Sequence, residues 1–216
     1  MSASGSGLLV TINEGTRTYD FYSTTSFQMF IDFLKQPSTP QSDLSPCLAE
    51  FKGFPQVDPV LLIYFSESMI NVQNKHRLAP SILIGCLSEL LIIRLVKTIG
   101  DFLGDPNAVI TFKEKRKDVN RQCDYTKELV RKAHGKLLET ETLTTPEEDY
   151  FRKFPLIVAH MMDSIKLRRN ECVHPEPEMT LDDMPTEDVA RTHFQAFNPY
   201  AEIILNLVAL FKRQPP

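Results

Sequence analysis

The sequence predicts an all-α fold, an antiparallel helical bundle, on three observations. Apolar residues recur at helical spacing through long segments between residues 60 and 211. No strand-type alternation recurs after residue 25. Glycine is scarce, 8 of 216 residues, about half its usual share. That scarcity argues against turn-dense all-β folds and glycine-rich phosphate loops, and neither GxGxxG nor GxxxxGK occurs.

Residues 1–57 form an N-terminal extension with a Pro-rich loop, and residues 58–213 the bundle. Within the extension, LLVTINEGTRTYDF sets β-type residues about an Asn-Glu-Gly turn. This fits a small hairpin and equally a partly ordered arm. SFQMFIDFLK places Phe27, Phe30, Ile31 and Leu34 on one side of a short amphipathic helix. Pro37, Pro40, Pro46, Pro55 and Pro59 then keep the chain mostly in loop, with one helical turn near residues 48–51. In the bundle, helices are expected over 60–75 and 79–103, with Pro80 in the first turn of the second. That second helix is apolar nearly all round, as interior or interface helices are. Gly104-Asp105-Pro106 ends it. A mixed-charge helix covers 125–140. Another starts at Thr145-Pro146-Glu147-Glu148 and runs to Val173, with Pro155 kinking or restarting it and Pro175 stopping it. The last covers 186–211 with an interruption near Asn198-Pro199.

Length and composition fit one domain with a sizeable core. The net charge of −4 excludes a globally basic nucleic-acid binder, so any RNA contact must come from a local patch. The longest apolar run, residues 78–96, carries Glu89 and Arg94. Each would cost roughly 2.5–3.5 kcal/mol in lipid, so a buried bundle helix is expected and no membrane association. The N-terminus has no basic segment followed by an apolar one, hence no secretory signal. Cys47, Cys86, Cys123 and Cys172 are widely spaced without a CxxC pair, and read as reduced thiols of a cytoplasmic protein.

Chemistry concentrates in KLRRNECVHPEPE, residues 166–178. Asn170 and His174 are four apart on an expected helix and share a face. Arg169 is long enough to curl toward the same end. Pro175 disfavours helical geometry at His174, which places the imidazole where the helix opens. Cleavage of RNA by the neighbouring 2′-OH needs a base for that proton, an acid for the 5′-oxygen and positive charge on the phosphorane-like transition state. Histidine supplies base or acid near neutrality. Arginine supplies a forked, permanent cation, and asparagine orients either. No metal and no other cofactor is required. One chain offers one such histidine, so two facing chains would build a composite site, making a homodimer the expected partner arrangement. Chance alone supplies about 0.25 Arg-x4-His spacings in a chain of this composition, and about 0.01 once Asn must follow the Arg. The competing reading is an exposed helix end with His174 as a C-terminal cap.

Residues 113–136 hold nine Lys or Arg against four acids. Lys113, Lys115, Arg116, Lys117 and Arg121 are the candidates for an RNA-backbone patch. The alternative is a solvated helix face with ion pairs such as Glu128 to Lys132. Residues 171–188 carry seven acids and neither Lys nor Arg, which opposes an open RNA groove there. Cys172 and His174 lack a second ligand pair for zinc. His134 reads as a surface histidine.

RRNECVHP resembles the Arg-Asn-x-x-x-His signature of HEPN domains, an all-helical nucleotide- and RNA-binding family. LAPSILIGCLSELLIIRLV resembles the first long bundle helix of a bacterial subgroup with a Gly-x-x-Ser-Glu pattern, here Gly85, Ser88 and Glu89. FQAFNPYAEIILNLVALF resembles that subgroup's last helix after an aromatic-Pro-Tyr turn, here Phe197, Pro199 and Tyr200. The likeness covers about residues 58–213. It implies a dimeric four- to five-helix bundle whose active members cleave RNA without metal, often as toxins or defence effectors, some paired with a nucleotidyltransferase-type antitoxin. Arg169 and His174 would then be catalytic with Asn170 beside them, and Glu89 would hold Arg169. Glu89 has the alternative of an ion pair with Arg94 or a surface lysine. Some members only bind nucleotides or partner proteins.

Overall fold

A computed structural model describes residues 10–14, 17–21, 44–115, 119–140, 142–161 and 186–213. The chain divides into two compact units, residues 1–42 and 43–216. In the first, strands β1 (Val10–Glu14) and β2 (Arg17–Phe21) pair antiparallel, with Val10 opposite Phe21 and Glu14 opposite Arg17. The register leaves two residues of sequence between the strands. The helix expected over SFQMFIDFLK lies outside the described residues.

The second unit is an all-α bundle. Its described helices are α1 (Ser45–Gly53), α2 (Pro59–Gln73), α3 (Leu78–Leu103), α4 (Ala108–Glu114), α5 (Val119–Leu138), α6 (Thr145–Met161) and α7 (Glu187–Lys212). Where one turn of helix was expected, α1 has nine residues. Pro46 falls in its first turn, where a missing N–H costs nothing, and Phe51 is fully buried. α4 has no counterpart in the sequence expectation, and α5 starts six residues before the expected Tyr125. Its early turns are held by Gln122 Nε2, which donates to the Phe112 carbonyl at 3.0 Å, and by the Tyr125 hydroxyl, which donates to the Ala108 carbonyl at 3.2 Å.

The apolar girth of α3 puts it at the centre, packed on α2, α4, α5 and α7. Leu87, Leu91, Ile92, Leu95, Val96 and Ile99 are fully buried. Its opposite ends meet α2 at Asp58–Arg94 and Ser68–Pro80, so α2 and α3 are antiparallel. α6 and α7 are antiparallel as well, through Glu147–Arg213 and Phe151–Phe211. α3 and α7 run the same way: Ser88 meets Tyr200 near one end and Phe102 meets Phe211 near the other. Phe51, Phe65, Phe194 and Phe197 interlock across α1, α2 and α7.

Two turns end helices with the same hydrogen-bond pattern. After α3, the Asp105 N–H bonds the Gly100 carbonyl and the Gly104 N–H that of Asp101, with Gly104 left-handed at φ 73°. Gly100 itself tolerates no side chain, since a Cβ there would lie 2.7 Å from that of Ala108. After α2, His76 and Lys75 repeat the pattern to Asn71 and Val72, and Lys75 takes the left-handed position at φ 59°.

The expected interruption at Asn198-Pro199 is absent, and α7 is continuous. Proline removes the hydrogen bond to residue i−4. Here that residue is Gln195, and both Gln195 and Pro199 are exposed, so the freed carbonyl faces the solvent side. Asn198 is buried and its amide donates to the Cys47 carbonyl at 3.0 Å and to Glu50, fastening α1. Among the described residues no helix is long and apolar enough to cross a membrane.

Candidate functional site

Arg169, Asn170 and His174 lie outside the described residues, as do Arg116 and Lys117. The described chain shows how the elements leading to and from that stretch are fixed. α6 begins with a cap in which the Thr144 N–H and hydroxyl both donate to Glu147 Oε2 at 2.8 Å. Pro146 is the second helical residue. Glu147 also receives Arg213 from the end of α7. The Thr144 N–H, then Arg213, hold its carboxyl below the ordinary carboxylate value. Phe154 and Val158 anchor α6 in the core. α7 begins where Thr186 Oγ1 accepts from the Val189 N–H at 3.3 Å, with Glu187 and Asp188 in its first turn.

Glu89 is half-buried on α3, next to a polar contact inside the α3–α7 seam. There the Ser88 hydroxyl donates to the Tyr200 oxygen at 2.9 Å, and the Tyr200 hydroxyl donates to the Ser88 carbonyl at 3.1 Å. Complete burial pushes the Tyr200 phenol far above its ordinary value. Arg94 reaches Asp58 at 2.8 Å. Burial pushes the Asp58 carboxyl up, but the Leu61 N–H that it caps, together with Arg94, outweighs this and leaves it below the ordinary value.

Of the basic candidates, Lys113 is exposed at the end of α4 and Arg121 is exposed in the first turn of α5. The Gln122-to-Phe112 bond joins their immediate neighbours, so both stand at one corner. Lys115 lies over the Tyr125 ring, 5.7 Å from its centre. Further along α5 the charges pair locally. Glu128 takes two hydrogen bonds from Arg131 at 2.9 and 3.0 Å and has Lys132 at 3.6 Å. That part of the basic stretch is the solvated, ion-paired face the alternative reading describes.

Sequence reasoning missed a groove of about 310 Å³ between α5 and α6. Val130, Phe151, Phe154 and Pro155 form its apolar walls, and Asp124, Lys127, Glu128 and Arg131 its charged rim. His134 also lines it, and its side chain is only 26% exposed. That corrects the surface reading: the ring stacks on Phe151 at 4.1 Å, and its buried Nε2 stands 3.3 Å from Glu148 Oε2 without the alignment of a hydrogen bond. The available signal was Pro155, which breaks the helical hydrogen bond to Phe151 beside the groove.

Comparison of the chain with protein-family models, with curated proteins and with solved structures finds no match. The fold defines the class, an all-α helical bundle.

Proposed function

We propose that the chain is a metal-independent endoribonuclease of the HEPN type, acting as a homodimer in which two copies of Arg169, Asn170 and His174 face one another. The Arg169-Asn170…His174 sequence carries the reading. The packing supports it: the two other stretches that share the resemblance are α3 and α7, which lie side by side with Ser88 bonded to Tyr200. In this reading Arg169 binds the scissile phosphate and Asn170 positions the reacting groups. One His174 takes the 2′-OH proton, while His174 of the partner subunit protonates the departing 5′-oxygen. The oxygen attacks phosphorus, the P–O5′ bond breaks, and the products are a 2′,3′-cyclic phosphate and a 5′-hydroxyl. Glu89 would hold Arg169, and Lys113, Lys115, Arg116, Lys117 and Arg121 would follow the RNA backbone. The biological setting would be a toxin or defence effector in the cytoplasm, with a nucleotidyltransferase-type antitoxin as the candidate partner.

Purified protein should cut single-stranded RNA in EDTA and leave cyclic phosphate ends, and His174→Ala should abolish cutting. Equal cleavage by the wild type and His174→Ala would reject the assignment. The seven acids between residues 171 and 188 favour a second reading, a non-catalytic scaffold that binds a nucleotide or a partner protein. It predicts binding that depends on Arg169, without cleavage.

A further inference from the structure

We propose that the α5–α6 groove receives Leu156 of a second copy of this chain, so that α6 is the two-fold face of a homodimer. Leu156 is 77% exposed, the most exposed of the large apolar side chains among the described residues. It directly follows Pro155, which lines the groove. A protruding leucine beside an apolar slot is self-complementary: a two-fold axis near Pro155 puts each leucine into the slot of the other copy. Val130, Phe151 and Phe154 give that slot walls of matching chemistry.

The surrounding charges offer one match. Arg152 and Lys153 lie one turn before Leu156 on its face of the helix, and both are exposed. Within the chain they share Asp149, a surface arrangement that gives way easily. The rim of the groove carries Asp124 and Glu128 with Lys127 and Arg131, and Glu128 is taken by Arg131 and Lys132, which leaves Asp124 as the acid open to a partner. Among the described residues, Asp124 and Lys127 have no ion pair. Insertion of Leu156 would bring Arg152 to Asp124 and cover the exposed leucine.

This face rests on the proposed function for its purpose, because α6 leads along the chain toward Arg169 and His174, but it can be tested apart from it. Sedimentation equilibrium on the full chain should give a dimer. Leu156→Asp should raise the dimer dissociation constant at least about tenfold while leaving the circular dichroism spectrum unchanged. Asp124→Arg should weaken the dimer, and Asp124→Arg with Arg152→Asp should restore it. A monomeric wild type, or a Leu156→Asp variant that dimerises as tightly as wild type, overturns the proposal. Loss of the dimer in Leu156→Asp, with no RNA cleavage by wild type, upholds the face and rejects the nuclease. Loss of the dimer and of cleavage together upholds both.

Discussion

The α3–α7 seam and the α5–α6 edge are built on opposite rules. The seam buries Leu91, Leu95, Ile204 and Leu207 almost completely and includes the contact of Ser88 with Tyr200, in which each hydroxyl satisfies the other residue. The edge keeps an apolar slot open, rings it with charges of both signs and leaves Leu156 in solvent. A seam of the first kind fixes the fold and offers nothing to a ligand. An edge of the second kind adds little to the monomer's stability and is free to bind. Substitutions should therefore separate the two regions by what they change.

The largest expected effect is in the aromatic cluster beside the seam, where α1 and α2 pack on α7. Phe197 is fully buried, with Phe51 and Phe65 each 5.9 Å away and Tyr200 at 5.7 Å. Phe197→Ala should cost about 3–5 kcal/mol in urea denaturation. A loss below about 1 kcal/mol would mean that this core cluster is as loose as the edge. Tyr200→Phe comes next. It strands the Ser88 hydroxyl in apolar packing and should cost about 1–3 kcal/mol. Adding Ser88→Ala should recover part of that loss, because the stranded hydroxyl goes with it.

Glu147 ties the edge to the seam through Arg213. Its carboxyl is held below the ordinary value of 4.5, so the charged form is the one the fold favours. The stability it contributes is complete above about pH 5 and is lost as the pH falls through the lowered value. Wild type should melt higher than Glu147→Gln at neutral pH, with the gap closing below pH 4.5. A gap that persists in acid would show that the carboxylate charge is not what holds the clamp.

Most of the bundle was legible because its signals are periodic. The apolar girth of α3 announced a central helix, and Gly104 marked its end. What escaped depends on tertiary partners. Pro199 reads as a break until its orphaned carbonyl is found to belong to exposed Gln195. α4 is short, with only Ala108 and Phe112 buried, too few positions to show a period. The groove is made by two helices together, so no single segment encodes it. The Arg169–His174 motif is read from residue type and spacing alone, and it lies outside the described residues, so the fold does not bear on it.

A smaller effect is expected at the corner between α2 and α3. Lys75 holds the left-handed position that glycine fills after α3. Lys75→Gly should stabilise by up to about 1 kcal/mol, seen as a rise in Tm. No gain would mean that contacts of the lysine side chain offset the strain.

The smallest stability effect and the clearest functional one should come together at the α4–α5 corner. Lys113 and Arg121 are exposed, and surface substitutions of that kind usually leave the melting temperature nearly unchanged. If both cations neutralise phosphates, Lys113→Ala with Arg121→Ala should reduce the slope of log K against log salt for single-stranded RNA by about 1.4, at about 0.7 per phosphate. The matched control is Arg131→Ala with Lys132→Ala, which removes the same charge from the ion-paired part of α5. The corner acts as a binding patch only if the first pair lowers the slope more than the second. Equal changes would reduce its role to net charge.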